Sequence, residues 1–127
     1  MLKRLIISLL LVAAAASCDR YLAKRMDSPV VDGSRVTFRI KCPSARTVQV
    51  AGNWNNWAKG DADEGEVLVG SMEEEDGTGI WELSLELITG RYRYKYLIDE
   101  VRWELDPGNP RVVDDGRGGK ANLLIMP

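Results

Sequence analysis

Four side chains in this sequence carry chemistry that a plain core does not ask for. Trp57 closes a polar run, Asn55-Asn56-Trp57; Lys95 lies on the polar face of a tyrosine-bearing segment; Trp103 stands between Arg102 and Glu104; Asn122 sits in the last apolar segment. An indole offers a flat apolar face that stacks on the C–H face of a pyranose ring. The ring's hydroxyls project from its edge, where an ammonium or an amide can bond to them. Aromatic platforms with a few donors and acceptors are the equipment of a sugar-binding surface. The competing reading makes Trp54, Trp57, Trp81 and Trp103 core or half-buried packing residues, and spacing alone does not choose between the two.

Other chemistries are excluded more firmly. The chain has no histidine, which removes Ser-His-Asp and Cys-His catalysis and histidine-ligated zinc. Carboxylates are plentiful, but they fall on polar strand faces and acidic runs with nothing to raise the pKa of one, so no glycosidase pair and no enzyme activity are expected. The run Glu73-Glu74-Glu75-Asp76 lacks the spacing and glycine of a calcium loop and reads as a solvated loop. No metal and no cofactor are expected. Seventeen basic against nineteen acidic residues give a net charge of −2. Without Lys3 and Arg4 the balance is −4, which argues against nucleic acid as a partner.

These candidates need elements to hold them, and the sequence supplies strands. Val36, Phe38 and Ile40 alternate with Arg35, Thr37, Arg39 and Lys41, the pattern of a half-buried strand. Residues 47–51 read as the next, with Val48 and Val50 inward. Val67-Leu68-Val69 reads as a short one. Trp81, Leu83, Leu85 and Leu87 line one face of a strand that a turn at Thr89-Gly90 joins to another. In that second strand Tyr92, Tyr94, Tyr96 and Ile98 face one way, and Arg91, Arg93 and Lys95 the other. The pair forms a hairpin. Residues 101–105, 112–113 and 121–125 follow, separated by Asp106-Pro107-Gly108-Asn109-Pro110 and by a glycine-rich run. The sum is an all-β domain, an immunoglobulin-like β-sandwich of about seven to eight strands, with no internal repeat.

The N-terminus reads as a separate unit. A basic start, an apolar stretch to Val12 and small residues to Ser17 form a signal peptide over residues 1–17, too short to span a bilayer. Ala15-Ala16-Ser17 before Cys18 resembles a bacterial lipobox, with alanine where leucine is more usual. Cys18 is then the lipidated residue, which makes the protein a membrane-anchored lipoprotein of the cell envelope. The alternative is ordinary secretion or periplasmic release. A thioether on Cys18 is incompatible with a Cys18–Cys42 disulfide, so none is expected, and Cys42 reads as a half-buried strand-end residue. Residues 18–32 form the anchor and a flexible spacer, and residues 33–127 the domain. The 110 residues left after the signal bury roughly two-thirds of their unfolded surface, enough for a core without disulfides.

Val50-Ala51-Gly52-Asn53-Trp54-Asn55-Asn56-Trp57 resembles the G-S/D-F-N-N-W signature of carbohydrate-binding modules of family 48. That family includes the glycogen-binding domain of the AMP-activated protein kinase β subunit and the N-terminal domains of isoamylases and branching enzymes. Gly90-Arg91-Tyr92-Arg93-Tyr94-Lys95-Tyr96 resembles the family's G-x-Y-x-Y-K-F strand. Asp99-Glu100-Val101-Arg102-Trp103 resembles D-G-x-W, Asp106-Pro107 stands as D-P, and Ala121-Asn122-Leu123-Leu124-Ile125 resembles V-N-N-I-I. The resemblance covers residues 32–125. It implies that Trp57 and Trp103 are sugar-stacking platforms, that Lys95 and Asn122 bond to hydroxyls, and that Trp54 packs in the core. It implies non-catalytic binding of an α-1,4-glucan such as glycogen, starch or maltodextrin, with a glucan-active enzyme or other subunit as a further partner class. Glu100 departs from the turn glycine, Leu123 from the second asparagine, Lys120 from a threonine and Gly118 from a leucine that reaches round the sugar. The acidic stretch 64–76 is longer than in the kinase domain. The other reading of the same scaffold is an interaction subunit without sugar affinity.

Overall fold

A computed structural model describes residues 26–58 and 69–127. The described residues form nine strands and no helix: β1 (Val30–Asp32), β2 (Arg35–Lys41), β3 (Val48–Gly52), β4 (Glu73–Glu75), β5 (Ile80–Glu86), β6 (Gly90–Ile98), β7 (Arg102–Glu104), β8 (Val112–Asp114) and β9 (Lys120–Met126). One antiparallel sheet runs β1-β2-β5-β4. The other runs β3-β6-β9-β8, with β7 also paired to β6. β6 is the spine of the second sheet. Its C-terminal half pairs with β3, Val50 opposite Tyr96. Its N-terminal half pairs with β9, Arg93 opposite Leu123, and its last residues pair with β7, Leu97 opposite Trp103.

The two-residue period decides which face is buried. Val36, Phe38 and Ile40 from β2 meet Tyr94, Tyr96 and Ile98 from β6, and Trp81, Leu124 and Met126 close the core. Leu83, Leu85 and Leu87 pack against it half-buried. The expected sandwich is therefore present, built of nine strands.

Short elements correct the sequence reading in three places. β1 lies inside the expected spacer, and Ser28 just before it is buried, so the domain begins before residue 33. The run Glu73–Glu75 is an edge strand paired to β5, although all three residues are exposed. Of the short strand expected at 67–69, residues 67 and 68 lie outside the described residues and Val69 is in a turn. The segment after it covers the outer edge of β3: Val50 N–H donates to the Gly70 carbonyl (2.9 Å) and Met72 N–H to the Val48 carbonyl (2.8 Å). Cys42 is also corrected. It is fully buried and disulfide-bonded, where no disulfide is expected from the sequence. The chain's other cysteine, Cys18, lies outside the described residues, as do the expected signal peptide over residues 1–17 and the expected spacer up to residue 25.

A buried polar network joins the turn after β7 to both sheets. Asp106 is 2 % exposed. Its Oδ2 accepts from the hydroxyls of Ser28 (2.7 Å), Tyr94 (2.8 Å) and Tyr96 (3.0 Å), and its Oδ1 from the Gly108 N–H (2.9 Å). Burial pushes the Asp106 carboxyl above its ordinary range, and these hydrogen bonds pull against that shift. Burial, aided by the Asp106 charge, raises both tyrosines. A buried carboxylate persists only where its lone pairs are filled, and here four donors fill them.

Candidate functional site

The loop after β3 is built to turn one tryptophan inward and the next outward. Gly52 has no Cβ, so the Trp54 ring folds flat across its backbone and stacks on Phe38, centroids 5.8 Å apart and 17° between planes. Asn53 extends the sheet by pairing with Arg93 through its own N–H (3.2 Å) and through Oδ1 (3.0 Å). Asn55 pins the loop: Oδ1 accepts from the N–H groups of Gly52 and Ala58 (both 3.0 Å), and Nδ2 donates to the Val50 carbonyl (2.9 Å). Around that pin Asn56, Trp57 and Ala58 all adopt positive φ, at 52°, 56° and 65°. Such values cost non-glycine residues roughly 1–2 kcal/mol each, and the Asn55 bonds hold them. The result is a half-buried Trp57 aimed over the outer face of the β3-β6-β9-β8 sheet.

Trp57, Lys95, Trp103, Asp115 and Arg117 line one depression of about 240 Å³ on that face. Trp103 is 48 % exposed. It stands on β7, which follows β6 after the loop Asp99-Glu100-Val101, whose first two residues are at positive φ. The Lys95 ammonium is paired at 2.9 Å with Asp115 Oδ2, the two side chains 18 % and 11 % exposed. The other oxygen of Asp115 accepts from the N–H groups of Arg117 (2.7 Å) and Gly119 (3.0 Å). The Lys95 hydrogen bond, followed by these two, holds the Asp115 carboxyl down to about 2. A second depression of about 400 Å³, lined by Arg102, Trp103, Glu104, Leu105 and Pro107, adjoins Trp103.

Three of the four expected residues are thus together, and Asn122 is not. It is 0 % exposed on the inward face of β9. Its Oδ1 accepts from the Asp106 N–H (2.7 Å), and its Nδ2 donates to the carbonyls of Asn109 (3.1 Å) and Arg111 (3.4 Å). All of its hydrogen-bonding capacity faces the turn after β7, so its role is to fix that turn and not to meet a hydroxyl. The sequence reading missed Asp115 and Arg117. Their signal was an acid opening the run Asp115-Gly116-Arg117-Gly118-Gly119, whose glycines let the chain curl back on the carboxylate. A Cβ at Gly119 would stand 2.7 Å from Asp115 Oδ2.

The site therefore offers two indole faces, an ammonium already shared with a carboxylate, and a guanidinium. Among the described residues no group of three or more His, Cys, Asp or Glu could hold a metal ion, and no helix is long and apolar enough to cross a membrane.

Residues 35–126 match the family described as the glycogen recognition site of AMP-activated protein kinase. Over 92 residues the chain is 34% identical to the 1,4-alpha-glucan branching enzyme GlgB of Aquifex aeolicus (strain VF5); the match takes in 70% of this chain and 14% of the enzyme.

Proposed function

The chain belongs to the family of the AMP-activated protein kinase glycogen recognition site, and from that membership we propose that it binds α-1,4-glucan (glycogen, starch or maltodextrin) without acting on it. One observation carries the reading: Trp57, Trp103 and Lys95, from three separate elements, converge on one open depression. Covering an indole face removes about 100 Å² of apolar surface, roughly 2 kcal/mol before ordering costs. Loss of either indole then weakens binding by about tenfold or more, at 1.4 kcal/mol per decade. Titration of maltoheptaose by heat and tryptophan fluorescence tests this, with Trp57→Ala and Trp103→Ala beside wild type. Immobilised amylose, with cellulose as control, gives a second readout. Wild type that shows neither heat nor fluorescence change at millimolar sugar removes the reading. The interaction-scaffold alternative, which the burial of Asn122 favours, then takes its place.

The anchor at Cys18 belongs to the same proposal. A lipidated Cys18 tethers the module to a membrane of the cell envelope, and two or more acyl chains suffice to hold it there. A thioether and a disulfide compete for one sulfur. Intact mass and detergent partitioning of the mature protein therefore decide: acylated Cys18 in the detergent phase supports the tether, and an aqueous, disulfide-linked protein overturns it.

A further inference from the structure

Lysine on a strand face is a flexible, strongly hydrated point charge with three donors and no acceptor. Alone it meets a sugar hydroxyl in one sense only. Here it is not alone. Asp115 Oδ2 lies 2.9 Å from Lys95 Nζ, and both residues line the depression between the two indoles. The carboxylate is fixed from behind by the N–H groups of Arg117 and Gly119 on Oδ1. Lys95 therefore keeps two donors for a ligand, and Oδ2 keeps acceptor capacity beside them. A donor and an acceptor at hydrogen-bond separation match two neighbouring hydroxyls on a pyranose ring, one accepting and one donating. In an α-1,4-linked chain the C1 and C4 oxygens are glycosidic, so the vicinal pair left is that on C2 and C3.

We propose that the Lys95–Asp115 pair acts as one reader of the C2–C3 diol of a glucose unit held between Trp57 and Trp103, with Asp115 as a direct sugar ligand. The pair gives the site a preference for glucans whose diol is intact. This rests on the glucan reading above and adds a ligand to it.

The experiment uses the full chain. Affinities are measured for maltoheptaose and for its 2-deoxy and 3-deoxy analogues, on wild type, Asp115→Asn, Lys95→Met and the double variant. Asp115→Asn keeps an oxygen for the Arg117 and Gly119 N–H groups, and its melting curve checks that the fold is kept. The expected result is a tenfold or greater loss of maltoheptaose affinity in each single variant, with the double variant no weaker than the weaker single. Wild type should bind both deoxy analogues at least several-fold more weakly than maltoheptaose. Wild-type affinity in Asp115→Asn, losses that simply add in the double variant, or deoxy analogues bound as tightly as maltoheptaose would each overturn the proposal. The analogue arm needs no variant, so it can still overturn the proposal if Asp115→Asn does not fold. Wild type that binds no α-glucan removes the glucan reading and this with it. Wild type that binds maltoheptaose without heeding the diol removes this alone.

Discussion

Trp54 and Trp57 stand three residues apart and face opposite ways, because Gly52 admits one ring against its backbone and Asn55 holds the other's φ positive. Trp54 packs half-buried against Phe38, Tyr92 and Tyr94, so Trp54→Ala should cost about 2–3 kcal/mol in a denaturant titration, at the lower end for a core aromatic. Trp57→Ala should cost less than about 1 kcal/mol, since it empties no core position. The two acids around the site separate by pH. Asp106 has a folded pKa raised above 3.8, so its contribution is full below that value and is lost as pH rises through the folded pKa. Asp115 is held down to about 2 from 3.8, so its contribution is present above 3.8 and is lost as pH falls toward 2. Unfolding measured against pH should show Asp106→Asn flattening the limb above pH ~4 and Asp115→Asn the limb below it. Trp57, Lys95 and Trp103 were legible because aromatic and charged residues out of place leave a mark in sequence. Asn122 shares parity with the buried Leu124 and Met126. That alternation pointed inward, but the turn that satisfies its amide is eleven to sixteen residues away.

The β6–β7 hairpin shows what an element tolerates. Asp99 and Glu100 both sit in the left-handed region, as the central pair of a turn closed by the Val101 N–H on the Ile98 carbonyl (3.1 Å) within the three-residue loop 99–101. Glutamate pays for that conformation without a compensating bond from its side chain in the turn. Glu100→Gly should stabilise the protein by about 0.5–1 kcal/mol, the strain relieved less the extra chain entropy of glycine. Chemical denaturation measures it, and maltoheptaose affinity should not change. The long strands β2, β5, β6 and β9 announce themselves by alternation over seven to nine residues. The three-residue strands β1, β4, β7 and β8 are too short for any period. They exist because a neighbour offers a ladder, as β5 does to the triplet of glutamates in β4. Those charges in turn blunt an open sheet edge against pairing with another chain.

For the whole molecule, the sandwich places the depression between Trp57 and Trp103 on the outer face of one sheet, while the polar network around Asp106 ties the turn beneath that face to the start of the other sheet. Ser28 is the tie. It donates to Asp106 (2.7 Å), shares a hydrogen bond with the Tyr96 hydroxyl (3.0 Å) and accepts from the Arg39 N–H (3.1 Å). Ser28→Ala leaves a buried carboxylate one donor short and should cost about 1–3 kcal/mol, read from the melting transition. A tensile load has a different meaning at this point. A pull that arrives along the chain at Met26 enters the fold at Ser28, before it reaches the three-residue ladder of β1, which could resist little by itself. The first thing such a force must break is a set of short, water-excluded hydrogen bonds to the centre of the domain. The edge hairpin of β1 and β2 is thereby shielded from being peeled away under such a load.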